Sequence, residues 1–469
     1  MKAYLLRLSN DLRESYWFLP TVMASGALLL ALAMVYVDSH SGTDWMDGLP
    51  WLYAARPAGA RSLLSSIGGS MIGVAGTTFS VTIAAVVYAS GQYGPRLLSN
   101  FMSDRGNQVT LGTFIATFVY SLVVLRTIRS AGEGGSATPA FVPQLALLVA
   151  LILVLCSIAV LIFFIHHVPM RIHINNVIER IGERLIKEID ERFPVFVGTP
   201  LKERADDPRI PAALRIDADR TDYDQRAPVR SEDTGYIQLI DDSALIAVAR
   251  DHDLVIRLHY QSGDFIHKGS VLLEAWPIDR CDEEAASALR EAFAVGSRRT
   301  ALQDLRFLID ELVEIAARAL SPGVNDPFTA NSCLDWLGAA MADVARRDLP
   351  SRLRADEDKA LRVIAHPVTF DGFIDRAFGA LAQYASADMI AGQRFLNVLG
   401  DVALSCDDPE RIETLKRQVH AFRLLAEGAL NGTCRDSVLA RADELLRALD
   451  EPDYKRRLRD GAAWLGGTA

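Results

Sequence analysis

Four long apolar stretches in the first 168 residues, Trp17–Val37, Ser62–Tyr88, Val109–Leu125 and Phe141–Val168, constrain this chain more than any other feature. A helix needs about 20 residues to cross a bilayer core. Within hydrocarbon, only a helix or a closed barrel satisfies its own backbone hydrogen bonds. Four transmembrane helices are therefore expected. The first stretch follows Lys2, Arg7, Asp11, Arg13 and Glu14, as a signal peptide would. Its apolar run exceeds a signal's hydrophobic region, and no small-residue cleavage site precedes the next charges, so a retained span is expected.

Charge separates the two halves. Residues 1–168 carry 9 Lys/Arg against 7 Asp/Glu, and residues 169–469 carry 40 against 52. The mean hydropathy of +0.15 therefore averages an apolar half with an acidic, soluble one. This composition excludes a disordered or collagenous chain and a simple soluble globule, and the acidic balance argues against a nucleic-acid partner. Cys156, Cys281, Cys333, Cys406 and Cys434 show no C-x-x-C spacing, which argues against a disulfide scaffold and a cysteine zinc site. The trio His166, His167 and His173 has no carboxylate at ligand spacing, and Pro169 is expected to interrupt the helix there. Neither a metal nor a cofactor is expected.

Positive charges near the span ends set the orientation. Nine (Lys2, Arg7, Arg13, Arg96, Arg105, Arg171, Arg180, Arg184 and Lys187) fall on one side, against Arg56, Arg61, Arg126 and Arg129 on the other. Both termini are thus expected in the cytoplasm, with Trp45 and Trp51 in the first outer loop.

The second span is rich in glycine and hydroxyl residues. At 100° per residue, Ser66, Ser70, Gly73, Thr77 and Ser80 fall within about 80° of arc and form one stripe. Such a stripe either admits another backbone closely or lines a water-filled path, because lipid rewards neither the missing volume nor the hydroxyls. No Asp, Glu, Lys or Arg lies inside these four segments, which favours a passive path over a proton-coupled pump. Between spans two and three, Pro95, Arg96 and Asp104 belong to an expected short interfacial elbow helix, with Leu97, Leu98, Phe101 and Met102 on its apolar side.

The predicted organisation is a four-span domain over 1–168, a connecting helix over 169–197, a mobile linker over 198–233, a small β-barrel over 234–280 and a mainly helical cytosolic domain over 281–469. The fold class is mostly α, with an α+β cytosolic part. The barrel rests on the alternating tract Leu254–Tyr260, the turn Ser262-Gly263-Asp264 and the strand Val271–Trp276. These resemble the barrel-sandwich of biotinyl and lipoyl domains. In those carriers the modified lysine sits between small hydrophobic neighbours in a hairpin. Lys268 does not, so a structural barrel is expected.

In the helical part, Arg299, Thr300, Gln303 and Asp304 precede one helix and Asn325, Asp326 and Thr329 begin the next. If the corner at Ser321–Ala330 folds back, these seven supply groups for an anion, a cation or a polar ligand; otherwise they form an internal hydrogen-bond network. The chain contains no P-loop, G-x-S-x-G, H-E-x-x-H or G-x-G-x-x-G, so no enzyme is expected.

Three runs, F-S-V-T-I-A-A-V-V-Y-A-S-G-Q-Y-G-P-R-L-L-S-N-F-M-S-D-R from Phe79, R-R-T-x-x-Q-D from Arg298 and A-L-S-P-G-V-N-D-P-F-T-A from Ala319, resemble the bacterial predicted-membrane-protein family known as domain of unknown function 2254. The resemblance covers nearly the whole chain and implies an inner-membrane location, four N-terminal spans and a cytosolic C-terminal part. It implies no activity. The leading reading is a homo-oligomeric ion channel or pore in the bilayer, because four spans are too few to enclose a conduit alone. Its cytosolic part would assemble or gate it, with a small ion or ligand as partner. The alternative is a membrane-anchored scaffold or sensor without transport.

Overall fold

The computed structural model describes residues 15–40, 56–94, 104–131, 140–192, 199–200, 209–215 and 224–460. The chain divides into two compact units, one over Asn10–Asn176 and the other formed chiefly by Val177–Ala469.

The first unit consists of α1 (Phe18–His40), α2 (Pro57–Tyr93), α3 (Arg105–Thr127) and α4 (Gln144–Ile172). All four are long and apolar enough to cross a membrane. Pro57 opens α2, where its missing N–H costs nothing. Asp104 caps α3 by accepting from the Asn107 backbone N–H. The most buried of the four is α3, which packs against each of the others.

Lipid tails are as apolar as leucine, so close approach and hydrogen bonds must hold such helices together. Both are present. Gly112 brings α3 against α1, where a β-carbon would lie 2.5 Å from Met23 Sδ and 3.3 Å from Pro20 Cα. The Tyr120 hydroxyl donates to the Ala146 carbonyl at 3.0 Å, and the Thr117 and Ser157 hydroxyls meet at 3.0 Å. At the end of α1, the Asp38 carboxylate accepts from the backbone N–H groups of Leu145 and Ala146 at 3.1 and 2.9 Å. It thereby places an anion on the positive end of α4. Helix α4 runs through Pro169, which was expected to interrupt it. A proline in the last turn forfeits one hydrogen bond and little helix follows it.

The second unit begins with α5 (Ile174–Arg192), whose buried Ile178, Ile181, Leu185 and Ile189 lie on one face. Its strands are β1 (Thr199–Pro200), β2 (Ala227–Arg230), β3 (Gly235–Ile240), β4 (Val255–Leu258), β5 (Phe265–Ile266), β6 (Val271–Trp276), β7 (Phe293–Gly296), β8 (Leu353–Ala355) and β9 (Leu361–Ile364). They form a six-stranded sheet in the order β1-β8-β9-β4-β6-β2 and a three-stranded sheet in the order β5-β3-β7.

The expected small β-barrel is corrected here, because the described residues form two sheets and no closed barrel. Strands β4 and β6 do pair antiparallel across the foreseen turn. The free edge of β4 then takes β9 as a parallel neighbour, so the sheet extends instead of closing. Strand β2 lies within the stretch expected to be a linker and pairs with β6. Residues 201–208 and 216–223 of that stretch lie outside the described residues.

Helices α6 (Asp242–Asp251) and α7 (Glu283–Glu291) accompany the sheets. The helical part comprises α8 (Leu305–Ala319), α9 (Pro327–Ala345), α10 (Phe370–Ile374), α11 (Ala380–Ala385), α12 (Met389–Leu404), α13 (Pro409–Ala429), α14 (Gly432–Leu449) and α15 (Tyr454–Asp460). Its core includes the stacked rings of Phe395 and Phe422, 4.3 Å apart, with Phe378 edge-on to Phe395.

Candidate functional site

In the membrane unit, α2 buries Ala60, Leu64, Ile67, Ala75, Thr78, Thr82 and Val86 against its neighbours. On a helical wheel these residues centre on a direction about 150° away from the small-residue stripe. Ser66, Ser70, Gly73, Thr77 and Ser80 are accordingly all exposed. A β-carbon at Gly69, Gly73 or Gly76 would meet nothing within 4 Å. Thr77 donates to its own helix at the Gly73 carbonyl, 3.0 Å away, so that hydroxyl is satisfied without water. The stripe is therefore a narrow, polar and shallow strip that the described residues of its own unit leave uncovered.

Of the elbow residues, Pro95 and Arg96 lie outside the described residues. Asp104 is described and nearly buried. Besides capping α3, it meets His167 Nε2 at 3.1 Å. Gly106 permits this approach, because a β-carbon there would come within 2.6 Å of that nitrogen. One turn deeper, Asn107 is 2% exposed, and neither polar atom of its amide has a hydrogen-bond partner among the described residues.

In the C-terminal unit, the seven-residue cluster splits into two groups. Asp304 caps α8 through the Arg306 backbone N–H. The other group stands at the far end, where the Asp326 N–H donates to the Ala319 carbonyl. Asp326 caps α9 by accepting from the Thr329 N–H and hydroxyl at 3.1 and 2.5 Å. Asn325 adopts a left-handed φ of 51° at the turn. A straight helix of 15 residues spans about 22 Å, which is the separation of the two groups. The corner does not fold back on the start of α8.

The first group belongs to an ion-pair network that includes residues the motifs did not mark. Arg299 donates from Nε to Asp304 Oδ2 at 3.0 Å and from Nη1 to Asp310 Oδ2 at 2.5 Å. Arg306 Nε donates to Asp304 Oδ1 at 3.0 Å, and Nη2 reaches the Ser262 carbonyl and Asp264 Oδ1 at 2.6 and 3.0 Å. Arg376 forks onto Asp310 from Nε and Nη2. Burial raises the Asp310 carboxyl, but its bonds to Arg376 and Arg299 outweigh that and bring it below the usual carboxylate range.

Gly263, at φ +92°, is required there, because a β-carbon would overlap the Asp304 carboxylate. Gln303 holds the loop to β3, accepting from the Ile240 N–H at 2.7 Å and donating to its carbonyl at 2.9 Å. The Thr300 hydroxyl is buried without a partner among the described residues. Every acid in this network is engaged by arginine, as befits a structural clamp joining α8 to the 261–264 turn and to residue 376. Among the described residues, no group of three His, Cys, Asp or Glu side chains is placed to hold a metal.

Four apolar helices, three of them packed on α3, followed by an α+β unit, define an integral membrane protein with a substantial folded C-terminal part. The chain belongs to the family described as predicted membrane protein (DUF2254), whose model matches residues 13–401. It is 30% identical over 418 residues to uncharacterized proteins of Mycobacterium tuberculosis and Mycobacterium bovis, covering 87% of this chain and 75% of each relative. No solved structure matches it.

Proposed function

We propose that the protein is a homo-oligomeric channel of the bacterial inner membrane, with both termini and the C-terminal unit in the cytoplasm. The observation that carries this reading is the uncovered stripe Ser66, Ser70, Gly73, Thr77 and Ser80 on the face of α2 turned away from its own bundle. Lipid is a poor partner for such a face. A second copy of the chain is a good one, and repeating the contact around a symmetry axis sets one α2 from each subunit beside a shared centre. With no charged side chain in the stripe, selection would come from pore width and hydroxyl and carbonyl dipoles. The reading includes no catalytic step, because Asp304 and Asp326, which an acid-base site would need together, occupy opposite ends of α8.

The test uses the full-length protein in liposomes. Wild type should pass small ions, and Ser70→Cys should cross-link between subunits. Ser70→Leu and Thr77→Leu should cut flux at least about tenfold, since a hydrophobic constriction in a narrow pore dewets. Absence of flux across all voltages tested, or Leu variants that conduct as wild type does, would overturn the proposal. The alternative, an anchored sensor without transport, draws support from the ligand-sized cavity described next.

A further inference from the structure

The C-terminal unit contains a half-open cavity of roughly 130 Å³ beside the Arg299–Asp304–Arg306 network. Its walls are chiefly apolar and include Leu258, Leu305, Pro350, Val368 and Phe373. Two of the charged groups on its wall, Asp304 and Arg306, are bonded to each other.

Arg354 is not paired in this way. It stands on β8, reaches the cavity wall and is only 1% exposed. Its guanidinium Nε and Nη1 are buried with no hydrogen-bond partner among the described residues. Asp242 also lines the cavity and attracts Arg354 through space, but no hydrogen bond or ion pair among the described residues joins the two. An arginine cannot shed its proton. A buried guanidinium without an acceptor is strongly destabilising, and native proteins seldom leave one so. Tyr260 and His366 also line the cavity, and neither side chain hydrogen-bonds to a described residue.

We propose that this cavity binds a small amphipathic monocarboxylate. Its carboxylate pairs with the Arg354 guanidinium, and its apolar body lies against Leu305, Val368 and Phe373. A carboxylate suits the site better than a phosphate for two reasons. A single planar guanidinium matches two carboxylate oxygens. The apolar walls, with Asp242 and Asp304 among them, would desolvate and repel a dianion. Apolar cavities of about 150 Å³ accept benzene, so the body has roughly five to eight non-hydrogen atoms. The site stands independently of ion conduction, and its test reads binding alone.

Full-length protein in detergent is titrated calorimetrically with benzoate, with benzyl alcohol and inorganic phosphate as controls. Saturable benzoate binding is expected, at least about tenfold tighter than either control. Arg354→Met should remove it, and Val368→Phe should block it by filling the cavity while leaving Arg354 in place. If Arg354→Met does not fold, Arg354→Lys, which keeps the charge but loses the planar guanidinium, should weaken benzoate at least about tenfold. No benzoate binding up to about 20 mM, equal binding of benzyl alcohol, or unchanged affinity in the Arg354 and Val368 variants would each overturn the proposal.

Discussion

Asp304→Asn isolates the charge at the centre of the α8 network. Asparagine is also a good N-cap residue, so the turn onto α8 survives the change. What is lost is one carboxylate whose two oxygens serve two guanidinium groups. Oδ2 accepts from Arg299, and Oδ1 accepts from Arg306 Nε and from the Arg306 backbone N–H. The amide keeps one acceptor and turns an NH2 group toward the other arginine. Asp304 is 2% exposed, so solvent cannot replace the missing charge.

Breaking a buried pair from one side costs about 3–5 kcal/mol. The lower end applies, because Arg299 keeps Asp310 and Arg306 keeps Asp264. A loss of about 3 kcal/mol lowers the unfolding midpoint of a unit this size by about 5 °C. Scanning calorimetry of the detergent-solubilised protein, paired with tryptophan fluorescence from Trp276 and Trp336, reads that transition. Arg417→Gln is the control, because its pair with Asp371 lies in solvent and should leave the midpoint unmoved. If Asp304→Asn moves the midpoint by less than about 2 °C, the network is not the clamp described here.

Gly263→Ala should destabilise the same transition, and its cost should shrink in an Asp304→Ala background, where the overlap disappears; additive costs in a double-mutant cycle would contradict the contact. Burial, with help from Asp241 and against Arg354, pushes the Asp242 carboxyl up to about 6. The folded state then binds more protons than the unfolded state between pH about 4 and 6, so stability falls as pH rises through that window and levels off above it. Asp242→Asn should flatten that slope and raise stability at pH 7 by at most about 3 kcal/mol, readable from denaturant midpoints across pH. Gly112→Leu should separate α1 from α3 and lower the detergent stability of the membrane unit by several kcal/mol; an unchanged melting profile would show that α1 does not rest on that glycine.

The membrane half was legible because bilayer thickness writes itself into the sequence as a count of apolar residues. The four helices correspond to the four stretches, with ends within about five residues of those expected. The stripe on α2 could also be read, since helical periodicity places Ser66 beside Ser70 whatever surrounds them. That periodicity could not tell whether another helix of the same chain covers the stripe. Residues joining one helix to another, such as Asp38 with the start of α4 or Thr117 with Ser157, were invisible for the same reason. Each is an ordinary polar residue until a partner many residues away is known.

The C-terminal unit shows where local pattern stops being sufficient. The β4–β6 pair was readable because its apolar residues alternate and the turn Ser262-Gly263-Asp264 lies between the two strands. The sheet's further course depends on β9, which joins the edge of β4 from more than a hundred residues later, and a barrel was the natural inference without it. The cluster around Asp304 shows the same limit in another form. Capping residues at both ends of α8 looked like one polar site, and helix length alone places them about 22 Å apart. Their true partners, Arg306, Asp310 and Arg376, carry no motif. Arg354 was hidden most completely. It occupies a three-residue strand between β1 and β9, and neither its burial nor its lack of an acceptor follows from its neighbours in sequence. A charged residue in so short a strand reads as solvent-facing, yet Arg354 is 1% exposed and lines a cavity together with Leu305 and His366 from distant parts of the chain.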